Sequence, residues 1–236
     1  MRIIDAHSHV GTFGSWANVS ATAEELVTEM GKAGVVRSIL FSLDNDLVRR
    51  AVSKYPDLLV GYVWPDPRAA DAPQLVRSAL SKWGFRGIKL HPLIHAFLPT
   101  DDFVFPIMDE ARRMKVPVAI HSGHPPFSLP WSIGELAELY GDVKIVMLHM
   151  GHGHGVYIQA AINTARRYGN IILETSGMPM HTKIREAVRT VGEDRVVFGS
   201  DFPFHHYSVE IQRVKMAGLT KRELNLVLQE NSKQLL

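Results

Sequence analysis

The sequence predicts an α/β protein, a single (β/α)8 TIM barrel over residues 1–236. Three observations predict it. Short apolar, β-branched runs alternate with longer amphipathic stretches, as parallel strands and crossover helices do. Eight such pairs fit into 236 residues, the length of one barrel with short loops. Polar residues, mostly histidines, interrupt the apolar runs near their C-terminal ends, the end at which such barrels carry their chemistry.

The elements follow in order. Strands are expected over 2–9, 35–43, 59–64, 87–91, 117–121, 144–149, 170–175 and 195–201. These runs are apolar at successive positions, as in a parallel sheet covered on both faces. Thr22-Ala23-Glu24-Glu25 is a capping box that opens a helix through Leu26 and Met30. Helical patterns follow over 44–55, 68–83, 102–114, 132–140, 155–168, 182–191 and 208–217, and a last helix over 221–236. Pro106 predicts a late start or a kink in the fourth, because its ring displaces the preceding turn. An open doubly wound sheet would show the same alternation. No Gly-x-Gly-x-x-Gly follows the first strand, however, and the polar residues end many strands rather than two.

Composition narrows the chemistry. The net charge is +2 without a Lys/Arg block, so no nucleic-acid partner is expected. The chain has no cysteine, so any metal must take nitrogen and oxygen ligands. No apolar stretch is long enough to cross a bilayer, and no signal peptide is visible. The expectation is a cytoplasmic protein with a small-molecule substrate, compatible with a homo-oligomer.

Asp5-Ala6-His7-Ser8-His9 is the sharpest motif. Residues i and i+2 of a strand share a face, so His7 and His9 present two imidazoles side by side, half of a zinc-type site. Later strands end in Gly87-Ile88-Lys89-Leu90-His91-Pro92, Ile120-His121-Ser122-Gly123, Leu148-His149-Met150-Gly151-His152 and Phe198-Gly199-Ser200-Asp201-Phe202-Pro203. Burying that many polar groups without partners costs several kcal/mol, roughly 2–7 for each. A metal or a hydrogen-bonded site would compensate.

In these pieces and their order the chain resembles the amidohydrolase superfamily, in the branch that includes aminocarboxymuconate-semialdehyde decarboxylase. The resemblance implies one divalent metal, usually zinc, held by His7, His9, His121 and Asp201. It implies that His149 touches the substrate or the water that the metal activates. Three imidazoles and a carboxylate leave room for that water, whose pKa would fall towards ~7. Asp201 and His149 are then the expected catalytic pair for proton transfer. In two-metal members a carboxylated lysine bridges the ions. Lys89 stands at that place, although a lysine that pairs with Glu174 or caps the barrel is the preferred reading.

The loops bear on substrate. His91 and His152 are expected to line the site, with Trp16 and Phe127 among several loop aromatics. Arginine is scarce in these loops, which favours an uncharged substrate over a carboxylate. The leading expectation is therefore a metal-dependent hydrolase of an amide, ester or lactone bond. A non-oxidative decarboxylase or hydratase with the same metal is the first alternative, and a non-catalytic metal- or small-molecule-binding barrel another.

Overall fold

A computed structural model describes residues 2–236, without the side chains of Ser15 and Trp16. Among the described residues ten strands are present: β1 (Ile3–His9), β2 (Gly11–Phe13), β3 (Val19–Ala21), β4 (Val35–Phe41), β5 (Leu59–Val63), β6 (Gly87–Leu90), β7 (Val118–His121), β8 (Ile145–Leu148), β9 (Ile171–Glu174) and β10 (Val196–Val197). Eight of them form one parallel sheet in the order β1-β4-β5-β6-β7-β8-β9-β10. The two ends of the sheet meet. Ala6 N–H donates to Phe198 O at 2.9 Å, His9 N–H to Phe202 O at 2.6 Å, and Asp201 N–H to His7 O at 2.7 Å. The fold is the (β/α)8 barrel, and every strand expected from the sequence is in it.

Helices cover the outside. The capping box at Thr22 is formed, with Glu25 reaching back, and starts the helix Ala23–Ala33. Pro106 sits in the first turn of Phe105–Met114, after a separate 3₁₀ turn over Asp102–Val104. The proline thus delays the α-helix, since its missing N–H costs nothing in the first turn. Pro73 likewise opens Ala72–Lys82, later than the periodicity suggests. The last helix is not uniform. It runs as α over Lys221–Asn225, as π over Leu226–Glu230 and as 3₁₀ over Asn231–Leu235. Buried Asn231 donates to Glu193 O and Val196 O at 2.7 and 2.8 Å, and tertiary bonding sets that path.

One cluster of apolar side chains fills the barrel interior, including Ile39, Phe41, Val60, Tyr62, Val146, Val197 and Leu235. The larger cluster lies between sheet and helices. Among the described residues, no helix is long and apolar enough to cross a membrane. The β2–β3 hairpin, which the sequence reading did not anticipate, follows β1 directly and carries Phe13 over the barrel mouth.

Candidate metal centre

The strand ends converge on a cavity of about 550 Å³. His7, His9, Lys89, His91, His121, His124, His149, His152, Asp201 and His205 supply its polar atoms; Phe13, Trp64, Leu93, Ile94 and Phe204 supply its apolar walls.

β1 delivers His7 and His9 together, as its two-residue period requires. Their Nε2 atoms lie 3.0 Å apart. Asp201 Oδ1 lies 3.2 Å from His7 Nε2 and 3.1 Å from His9 Nε2. Asp201 has a left-handed backbone, φ 56°, which turns its carboxylate back into the barrel after β10. Such a conformation is costly for a non-glycine residue and marks a position held by its surroundings.

The hydrogen bonds fix the state of His7. Its Nδ1 lies 3.1 Å from Glu174 Oε2 and donates to it, so Nε2 carries the lone pair. Burial, with Lys89 next, holds its pKa well below the ordinary imidazole value. Burial also lowers the pKa of His9, against the pull of Asp201. His9 Nδ1 is buried without a hydrogen-bond partner. Two neutral nitrogens and a carboxylate oxygen at 3.0–3.2 Å from one another crowd electron density at one point. A divalent cation resolves this, because tetrahedral ligands about 2.0–2.2 Å from an ion stand roughly 3–3.5 Å apart. The donor set fits a metal, and Glu174 behind His7 is the kind of carboxylate that orients a ligating imidazole.

Glu174 is fully buried and satisfied. It accepts from His149 N at 3.1 Å, from Ser176 Oγ at 2.8 Å and from Ser176 N. Burial pushes its pKa up to about 8 while these donors act downward. Lys89 therefore finds no room at Glu174. Among the described residues no carboxylate comes within ion-pair distance of its Nζ, which stands 5.1 Å from the Phe41 ring and 5.5 Å from the Trp64 ring. Burial lowers its pKa to about 7, against Asp201 and Glu174.

His121 falls into a different grouping from His7, His9 and Asp201. Its ring nitrogen is gathered with those of His149 and His152, all within 4.8 Å of one another. Its Nε2 also lies 2.9 Å from His124 Nδ1. His149 (φ 63°) is the second left-handed residue of the site, and its Nδ1 lies 2.9 Å from Ser176 Oγ. His91 caps a short turn by accepting from Ile94 N at 3.2 Å through Nδ1, which leaves Nε2–H as its donor. Its ring stacks on His121 at 3.9 Å and on Trp64 at 5.5 Å.

Of the expected substrate contacts, His91 and His152 line the cavity; half-buried Phe127 does not, and the side chain of Trp16 lies outside the described residues. His124, His205 and Phe204, readable before only as loop residues, line it as well. So does Trp64. The alternation Val60-Tyr62-Trp64, all in the interior cluster, is the signal that places it inward.

The comparisons agree with this architecture. A family model described as Amidohydrolase matches residues 13–236, so the chain belongs to the amidohydrolase family and is an enzyme of that class. The match begins after His7 and His9. No curated protein sequence matches. Among solved structures, 5-carboxyvanillate decarboxylase LigW from Sphingomonas paucimobilis is similar at 16% identity and TM-score 0.79, over 99% of this chain and 98% of that one. An uncharacterised TIM-barrel protein from Bordetella bronchiseptica is similar at 18% identity and TM-score 0.81, over 100% and 98%. A 5-carboxyvanillate decarboxylase from Novosphingobium aromaticivorans, complexed with manganese and 4-hydroxy-3-methoxy-5-nitrobenzoic acid, is similar at 16% identity and TM-score 0.75, over 99% and 95%.

Proposed function

We propose that residues 1–236 form one catalytic unit, a divalent-metal-dependent decarboxylase of a small aromatic carboxylic acid that carries a ring oxygen. The observation that carries this reading is Lys89. It is the only lysine or arginine in the cavity lining and has no carboxylate partner among the described residues. It answers the scarcity of arginine that favoured an uncharged substrate. Two of the three structural neighbours named above are 5-carboxyvanillate decarboxylases, which supports the choice.

The site's residues divide the work. His7, His9 and Asp201 would hold the ion, zinc or manganese, whose Lewis acidity would polarise a substrate oxygen. Lys89 draws the anionic substrate inward. The near-parallel rings of Trp64, His91, His121 and His124 line one side of the cavity and offer aromatic contact to a substrate ring. Phe13, Ile94 and Phe204 exclude water, which favours neutral carbon dioxide over a desolvated carboxylate. As the ring–carboxyl bond breaks, its electron pair stays on the ring carbon and takes a proton. Asp201 Oδ2, the oxygen not shared with His7 and His9, would take up a proton from water and pass it to that carbon. His149 Nε2 faces the substrate oxygen.

The test is product analysis. The metal-loaded chain is offered hydroxybenzoates and, in parallel, aryl esters, amides and lactones. Carbon dioxide from an acid is the expected outcome. Acid release from the esters, amides or lactones, with no carbon dioxide, overturns the proposal in favour of hydrolysis.

A further inference from the structure

The segment after β6 puts apolar side chains where the cavity opens. Its short helix Pro92–His95 carries Leu93 and Ile94. Both line the cavity, yet they are 37% and 38% exposed. Lys89, His7 and His9 line the same cavity from the strands and are buried. The lining therefore runs from a polar floor to an apolar mouth. This mouth is held in place. Arg68 Nε donates to His95 O at 3.1 Å, Arg68 Nη2 donates to Ala96 O, and the guanidinium lies 4.8 Å from the Phe103 ring. Ile94 N–H donates to His91 Nδ1 at 3.2 Å. Ala96, at φ 51°, turns the chain so that the fully buried Phe97 anchors it. Single exposed apolar residues are ordinary, but two adjacent ones fixed on the rim of a cavity are placed for contact with what enters it. The cavity also has space to fill. It measures about 550 Å³, whereas about 150 Å³ accommodates benzene. One ring with its carboxyl and hydroxyl leaves much of that volume empty.

We propose that Leu93 and Ile94 form a subsite for a second apolar group of the substrate, of about ring size and remote from the carboxyl that leaves. The inference rests on the aromatic-acid reading above, which sends the carboxyl to Lys89 on the floor. The ring then lies beside Trp64, His91 and His121, and the position across it from the carboxyl points to the mouth. A substituent at that position meets Leu93 and Ile94; one beside the carboxyl does not. Because Arg68 and His91 hold the rim before substrate arrives, little loop freedom is lost on binding, and the rim discriminates by position rather than adapting.

The manganese-loaded full-length chain is titrated calorimetrically with salicylate, 4-phenylsalicylate and 3-phenylsalicylate, and carbon dioxide from each acid is measured separately. The two phenyl acids are equally apolar, but only the first directs its second ring straight away from the carboxyl. It should bind at least about 10-fold more tightly than its isomer, the scale on which apolar pockets weigh small differences in fit. In the Leu93→Ser/Ile94→Ser double variant that ratio should fall towards unity. Circular dichroism checks that the variant is folded, and the wild-type ratio tests the subsite without it. Equal affinity for the two isomers, a ratio unchanged in the folded variant, or no binding of either isomer overturns the inference. Carbon dioxide from salicylate alongside equal isomer affinities would remove the subsite and leave the decarboxylase standing. A rim-dependent preference with no carbon dioxide from any of the acids would keep the subsite and sink the reaction.

Discussion

Asp5 and Ser200 bind each other across the closing seam of the barrel. Asp5 Oδ1 accepts from Ser200 N at 2.9 Å, and the Ser200 hydroxyl donates to Asp5 Oδ2 at 2.7 Å. The same carboxylate accepts from His7 N at 3.0 Å, Tyr207 OH at 2.7 Å and Ser38 Oγ at 3.1 Å. Asp5 thus sets the separation between the strand that bears His7 and His9 and the segment that bears Asp201. Asp5→Ala should lower unfolding free energy by about 3 kcal/mol, since it strands several buried donors. It should also weaken metal binding by roughly 10–100-fold. Urea unfolding and equilibrium dialysis check the two effects, and unchanged values in both would remove Asp5 from this role.

Lys89 makes stability depend on pH. Its folded pKa is about 7 against 10.5 when unfolded. Between these values the unfolded chain binds the extra proton, so metal-free protein should gain stability as pH rises from 7 towards 10.5. The gain is undone as pH falls from 10.5 towards 7, and below 7 this group contributes no further slope. Lys89→Met should flatten this slope and stabilise the protein at pH 6, at the cost of substrate affinity. Parallel pH profiles for wild type and variant would show that Lys89 does not titrate in this window.

His149 is accessible to a conservative test because asparagine tolerates its left-handed backbone. On the acid identified by carbon dioxide release, His149→Asn should lose about 10²–10⁴-fold in kcat. The ion at His7, His9 and Asp201 should remain. Near-full turnover would mean that His149 does not act on the substrate.

Gly199 is the tightest point behind the metal centre. A Cβ there would collide with Glu174 Oε1 and lie 2.8 Å from His7 Cβ. Gly199→Ala should displace Glu174 from His7, lower Tm and weaken metal binding by roughly 10–100-fold. A variant with wild-type affinity would show that Glu174 does not orient His7.

The barrel and its chemical face were legible because they rest on local rules. Eight apolar runs gave eight strands, Thr22 and Glu25 gave a helix start, and the spacing of His7 and His9 gave one face. What was not legible depends on three-dimensional neighbours. The grouping of His121 is set by ring rotations toward His124, His149 and His152, which no spacing encodes. That Lys89 has no carboxylate partner among the described residues follows from Glu174 being filled by residues of β1 and of the β8 and β9 ends. The β2–β3 hairpin is three residues per strand, too short for a periodic signal.

The residues proposed to hold the ion are far apart in the chain, His7 and His9 on the first strand and Asp201 just after the last. An ion shared by them is a cross-link that closes a loop of nearly the whole chain. A cross-link over so long a loop restricts the denatured ensemble by on the order of 5 kcal/mol in the chain-entropy account. The binding free energy of the ion then adds to the folding free energy. Chelation would act on this enzyme as reduction acts on a disulfide-stapled one, loosening the seam before any helix is disturbed.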